Sequence, residues 1–253
     1  NMKKVWKRGA AFALAASVAY SQNVMSLVYS ADKNSDSVEW NTDAEVSVEY
    51  LTLQPGETDS AVNLNWYAPT GTEKAIVKFG DRIVEASVEE LHTPTKVDKN
   101  KYTDTGKMVC KATVDGLTKD TEYQYQVSYD DGKTWSEINS YKTAKENEFK
   151  FGFTSDPQIK ENGESNKEGW NSSDGTNQTG WATMLDKLMQ ENVNLVVSAG
   201  DQVEDQSWGK SSEYAAFFAP KEMSSILYAP AVGNHDRHYM FADHFNLPNE
   251  MLV

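Results

Sequence analysis

A single cysteine in 253 residues leaves nothing for an internal disulfide to join. It sits in Met108-Val109-Cys110-Lys111-Ala112-Thr113-Val114, where Met108, Cys110, Ala112 and Val114 share one strand face. That placement predicts a small buried hydrophobe, not a reactive thiol. Positive charge is also scarce. The chain carries 24 Lys and Arg against 38 Asp and Glu, a net charge of −14, which excludes the basic surface a nucleic-acid partner demands. A phosphorylated ligand would have to be drawn in locally, by metal ions or a few cations. Beyond the first residues no apolar run is long enough to span a bilayer. No internal repeat is visible, and the Gly175 to Gly180 stretch lacks the Lys and the preceding strand of a phosphate-cradling loop.

What is present begins with a leader. Lys3, Lys4, Lys7 and Arg8 precede an Ala-rich apolar run from Gly9 to Tyr20, and small residues at Ser30 and Ala31 come before Asp32-Lys33-Asn34-Ser35. This is the pattern of an export signal over residues 1–31, with Met2 as the start, and it predicts a secreted or cell-surface protein. An uncleaved anchor is the alternative, but the uninterrupted apolar core is short for a span, so no stable membrane span is expected. Apolar residues make up 39% of the whole, enough for packed cores.

From about residue 43 to 144 the pattern has period two. Val62, Leu64 and Trp66 alternate with Asn63 and Asn65; Tyr123, Tyr125, Val127 and Tyr129 alternate with Gln124, Gln126 and Ser128. Asp130-Asp131-Gly132 carries the turn chemistry of a hairpin. Short strands without a convincing helix predict a β-sandwich of about 100 residues. The run Gly116-Leu117-Thr118-Lys119-Asp120-Thr121-Glu122-Tyr123 resembles the corner of fibronectin type III domains, in which a tyrosine bonds back to the corner backbone.

After a short charged link the pattern changes, and a second domain is predicted over 148–253. Phe149 to Thr154 alternates and ends at Ser155-Asp156. A polar stretch from Lys160 to Gly180 follows, with sequons at Asn171 and Asn177. Trp181, Met184, Leu185, Leu188 and Met189 then mark one face of a helix, with Thr179 as its N-cap and Asn192 at its end. Asn194 to Ala199 reads as a buried strand stopping at Gly200-Asp201. Ser211 and Ser212 open a helix carrying Tyr214, Phe217 and Phe218, and Ile226 to Val232 is a third strand stopping at Gly233-Asn234-His235-Asp236. Strands alternating with helices predict parallel β-α units.

Three successive strands thus end in Asp156, Asp201, and Asn234 with His235. The carboxyl ends of parallel strands converge on a ligand crevice. Carboxylates, an amide oxygen and imidazoles suit divalent metals such as Mn, Fe or Zn. A carboxylate between two ions can bridge them, and a metal pair can hold both oxygens of a displacement at phosphorus.

At these residues the chain resembles the calcineurin-like metallophosphoesterase family, whose blocks are Asp-x-His, Gly-Asp-x-x and Gly-Asn-His-Asp/Glu, followed by later histidines. Here they read Asp156-Pro157-Gln158, Gly200-Asp201-Gln202-Val203-Glu204-Asp205 and Gly233-Asn234-His235-Asp236. With a fibronectin-like domain in front, the layout is similar to that of purple acid phosphatases. The resemblance implies a multi-domain β plus α/β fold: a fibronectin III-like β-sandwich, then the first half of a metallophosphoesterase α/β sandwich. It implies two metal ions (Fe, Mn or Zn), with Asp156 on the first, Asp201 bridging, Asn234 on the second and Gln158 tentatively a ligand. His235 would contact the phosphate or protonate the leaving oxygen, with Asp236 orienting its imidazole, and a metal-activated water would attack. The substrate implied is a phosphorylated small molecule.

Two departures stand out. The first block ends in Gln158, not His, and Glu204 occupies the place of the tyrosine that colours purple acid phosphatases, so no purple chromophore is expected. His238 and His244 lie too near the third block to match the later histidines, which are expected beyond Val253; both read as helix-surface or loop residues. Without those histidines this chain alone is expected to be inactive. The leading expectation for the protein is an exported acid phosphatase-like phosphomonoesterase. The alternatives are a phosphodiesterase or nucleotidase of the same fold, and a non-catalytic surface binding protein.

Overall fold

The computed structural model describes residues 40, 46, 48–94, 102–160, 180–204, 211–236 and 238–248. The export signal, the two sequons and the Thr179 cap lie outside the described residues. No helix among those described is long and apolar enough to cross a membrane.

Seven strands build the N-terminal part: β1 (Glu49–Pro55), β2 (Val62–Pro69), β3 (Ala75–Phe79), β4 (Arg82–Pro94), β5 (Tyr102–Val114), β6 (Glu122–Ser128) and β7 (Asn139–Lys142). They run in the order β7-β6-β3-β4-β5-β2-β1. The first half of β4 pairs with β3 and its second half with β5, so one 13-residue strand passes from one layer of the sandwich into the other. Leu53, Leu64 and Trp66 from one layer meet Val77, Phe79, Tyr125 and Val127 from the other in a continuous core. Each such large apolar side chain removed from water contributes about 1.5–3 kcal/mol.

The local signals are met by specific contacts. Asp131 and Gly132 take positive φ values of 60° and 80°, the left-handed turn that Gly and Asp tolerate. The Thr118 N–H donates to Tyr123 Oη over 2.8 Å, which is the back-bond expected at the corner. Cys110 is fully buried.

The second part is a parallel unit: β8 (Phe151–Thr154), α1 (Gly180–Gln190), β9 (Leu195–Ser198), α2 (Ser211–Phe218), a 3-10 turn (Lys221–Ser224), β10 (Leu227–Pro230) and α3 (His238–His244). Helix α1 buries Trp181 and Leu185, and it ends where Asn192 turns to φ 54°. Trp181 stacks on Phe217 at 4.8 Å and meets Tyr228 edge-on at 5.8 Å, which makes it a core residue. Strand β8 closes the sheet at one edge. Gly152 faces Leu188 of α1, while Phe149, Phe151 and Phe153 alternate onto the other face with 58%, 61% and 67% exposure.

The two parts are joined more tightly than a linked pair of modules. β10 pairs in parallel with β1, Leu53 opposite Leu227, so one ten-stranded sheet runs through both. Period two in β2 predicts a solvated face at Asn63 and Asn65, yet both are buried. The second part reaches Asn63. Asn63 Nδ2 donates to the Asn246 carbonyl at 2.8 Å, and Asn246 Nδ2 donates to the Leu64 and Ala112 carbonyls at 3.1 and 3.0 Å.

His244 corrects a second expectation. It is wholly buried, not a surface or loop residue. Its Nδ1 lies 2.5 Å from Tyr67 Oη of the sandwich, and its ring stacks on Tyr214 at 3.7 Å with the planes 17° apart. Burial pushes its pKa down to about 3, so the ring is neutral at physiological pH. His238 lies on α3, but its side chain lies outside the described residues.

Candidate metal centre

Register alone brings the three motif blocks together. Thr154 and Pro230 both sit opposite Ser198 at the ends of their ladders. The chain beyond each strand continues the contact: the Asp156 N–H donates to the Gly200 carbonyl at 3.0 Å, and the Gln158 N–H to the Asp201 carbonyl at 2.9 Å. Reaching these positions takes an unusual backbone. Asp156, Gln158 and Asp201 have φ values of 53°, 46° and 54°, in the left-handed region that non-glycine residues enter at a cost of roughly 1–3 kcal/mol. Such outliers persist where the surrounding structure over-determines them.

Asp201 is the centre of the arrangement. It is nearly buried, at 6% exposure. Its Oδ1 accepts the His235 N–H at 2.8 Å, and its Oδ2 lies 3.4 Å from Gln158 Nε2 and 4.0 Å from His235 Nε2. Gly233 makes the approach possible. A Cβ there would lie 2.1 Å from Asp201 Oδ1, and one on Gly200 would lie 2.7 Å from the Gly233 Cα. The glycines of the second and third blocks therefore follow from sterics.

The other candidates are placed as follows. Asp156 is half-buried, its carboxylate bonded by the Ser155 hydroxyl. Asn234 is exposed and Gln158 buried. The ring of His235 is held by its Nδ1–H donating to the Glu204 carbonyl. Asp236 is buried among three donors. Its Oδ1 accepts the Gln202 N–H at 3.0 Å and the Tyr214 hydroxyl at 3.3 Å, and its Oδ2 accepts the Gly233 N–H at 2.9 Å. It ties the second loop to the third through these bonds. Burial raises its pKa to about 6, while the amide bonds pull the other way. Sequence reasoning assigned no role to Tyr214 beyond helix packing; an aromatic on the buried stripe of α2 gives no sign that its hydroxyl reaches Asp236.

Donor chemistry fits a hard or borderline cation in part. Two carboxylates, two amides and an imidazole occur at adjacent strand ends. Glu204 Oε2, in the same loop as Asp201, is buried without a hydrogen-bond donor among the described residues. A buried carboxylate oxygen in that condition favours a nearby positive charge. Among the described residues, however, no three His, Cys, Asp or Glu side chains gather closely enough to enclose an ion. The set is partial.

Two family models match consecutive segments. Residues 48–143 match the N-terminal domain of purple acid phosphatase, and residues 149–252 match the calcineurin-like phosphoesterase. A solved purple acid phosphatase isolated from yellow lupin (Lupinus luteus) seeds superimposes with a TM-score of 0.61 at 18% identity, over 81% of this chain and 41% of that one. This chain therefore spans less than half the length of that enzyme. A maltogenic amylase from S. marinus overlaps at 11% identity over 59% of this chain and 24% of that one, with a TM-score of 0.22 that carries no argument. No curated protein matches.

Proposed function

We propose that this chain, which joins a purple acid phosphatase-type N-terminal domain to a calcineurin-like phosphoesterase domain, belongs to a metal-dependent hydrolase of phosphate monoesters. The observation that carries the reading is the strained convergence of Asp156, Gln158 and Asp201 on the loop that presents His235. A left-handed turn sets a carboxylate at each of two successive strand ends. It has value where ligand oxygens must meet at one point.

In this reading Asp156 and Asp201 would hold a first ion, with Gln158 alongside, and Asp201 and Asn234 would hold a second. Two such ions (Fe, Mn or Zn), when bound there, would supply Lewis acidity toward the phosphoryl oxygens and an activated water. His235, its ring fixed by the Glu204 carbonyl, contacts the phosphate and delivers a proton to the leaving oxygen from Nε2. Asp236 keeps the second and third loops in register. Glu204 stands where purple acid phosphatases carry their colouring tyrosine, so the protein is expected to be colourless. The basic and apolar leader over residues 3–20 supports a location outside the cytoplasm.

The test is hydrolysis of 4-nitrophenyl phosphate by the full-length protein with added Mn2+ or Fe2+, compared with Asp201→Ala. Metal-stimulated activity lost in the variant supports the reading, and equal activity in both refutes the site. Parallel assays on bis(4-nitrophenyl) phosphate separate a monoesterase from a diesterase. Absence of hydrolysis on either ester favours a non-catalytic surface protein, for which the Gln158 and Glu204 departures give the motive.

A further inference from the structure

We infer that Tyr214 is a positioning residue for the candidate metal centre, and that the N-terminal sandwich fixes it through Tyr67 and His244. The inference rests on the metal-site reading above. Tyr214 belongs to none of the three motif blocks. It stands on α2, fully buried, and its hydroxyl donates to Asp236 Oδ1 at 3.3 Å. Through its two oxygens Asp236 also holds the Gln202 and Gly233 amides, the residues that flank Asp201 in space. The tyrosine thus acts on the ligand loops through one carboxylate.

What holds Tyr214 comes from the other domain. His244 covers its ring at 3.7 Å, nearly parallel, and the Nδ1 of that histidine meets the Tyr67 hydroxyl on β2. The three side chains are between 0% and 3% exposed. Packing alone would be met by phenylalanine at each position, with no polar atom to satisfy. Instead His244 Nε2 is buried with no partner among the described residues, an arrangement that works against stability. Directional bonds at Tyr67 and Asp236 fix ring orientations that apolar contact leaves loose, and residues behind a metal's direct ligands tune its binding in this way. The line from β2 to the ligand loops is therefore Tyr67, His244, Tyr214, Asp236.

The test uses the full-length protein with Tyr214→Phe and Tyr67→Phe. Hydrogen–deuterium exchange at the Gln202 and Gly233 amides reads positioning without reference to activity. Tyr214→Phe should speed both amides about tenfold while the β9 and β10 amides and Tm stay near wild type, and should weaken Mn2+ binding about tenfold. Tyr67→Phe should move the same readouts in the same direction by a smaller factor. Unchanged exchange at Gln202 and Gly233 in folded Tyr214→Phe protein overturns the inference. So does uniform acceleration through β9 and β10, which reports general loosening. If Tyr214→Phe does not fold, Tyr67→Phe decides by the same comparison. If the wild type binds none of Mn2+, Fe2+ and Zn2+, the metal reading falls, and the two amides then decide only whether Tyr214 positions the loops.

Discussion

Gly233 and Asp201 touch without room for a methyl group: a Cβ on the glycine would lie 2.1 Å from Asp201 Oδ1 and 2.2 Å from the Asp201 amide nitrogen. The contact locks the second motif loop to the third. Gly233→Ala must therefore push one loop away from the other. We expect a loss of about 1–3 kcal/mol by urea denaturation, the usual range for overpacking, with weaker Mn2+ binding in a metal titration. Wild-type values in both measurements would show that the loops yield at no cost.

Asp236 should give the metal-free protein a pH signature. Its folded pKa of about 6 stands above the ordinary value of about 3.9. A raised carboxyl binds more protons folded than unfolded, so its contribution to stability is greatest below about pH 4, declines up to about pH 6 and is flat above. The decline amounts to about 3 kcal/mol at most. Asp236→Asn should lack that decline, although leaving an amide without its acceptor costs about 1–3 kcal/mol at every pH. Urea titrations at pH 4 and pH 6.5 compare the two proteins. An equal decline in both would place the slope on other groups.

At the corner of the sandwich, Tyr123→Phe removes only the acceptor of the Thr118 N–H. Because the site is exposed, water can replace the hydroxyl, and the loss should be about 0.5–1.5 kcal/mol by denaturation. No loss would mean that the bond does not tether the corner.

Cys110 is buried, which pushes its pKa up to about 12. In folded protein it should not react with Ellman's reagent near neutral pH, and it should react in full once urea unfolds the chain. Rapid labelling of native protein would show that the β2–β5 core opens readily.

Much of this architecture was legible because it rests on period and punctuation. The apolar stripe of Trp181 and Leu185 predicts α1, and the alternation of strands with helices predicts that the strand ends at Asp156, Asp201 and Asn234 lie side by side. Less legible were features decided by a distant segment. Nothing near His244 reveals that Tyr67, far earlier in the chain, will bury it, and the polar face of β2 looks solvated until Asn246 is folded onto it. Local sequence also conceals the left-handed turns at Asp156, Gln158 and Asp201, since none is a glycine. Nor does the sequence around Asp236 show that its carboxylate will meet the Gln202 and Gly233 amides, which only the fold supplies.

The Leu53–Leu227 pairing has a mechanical consequence. Pairing across the boundary, reinforced by the Asn63 and Asn246 bonds, leaves no hinge there. The sandwich cannot swing toward or away from the crevice as a lid would. A load applied to the sandwich would be borne by the same sheet that leads into Asp201.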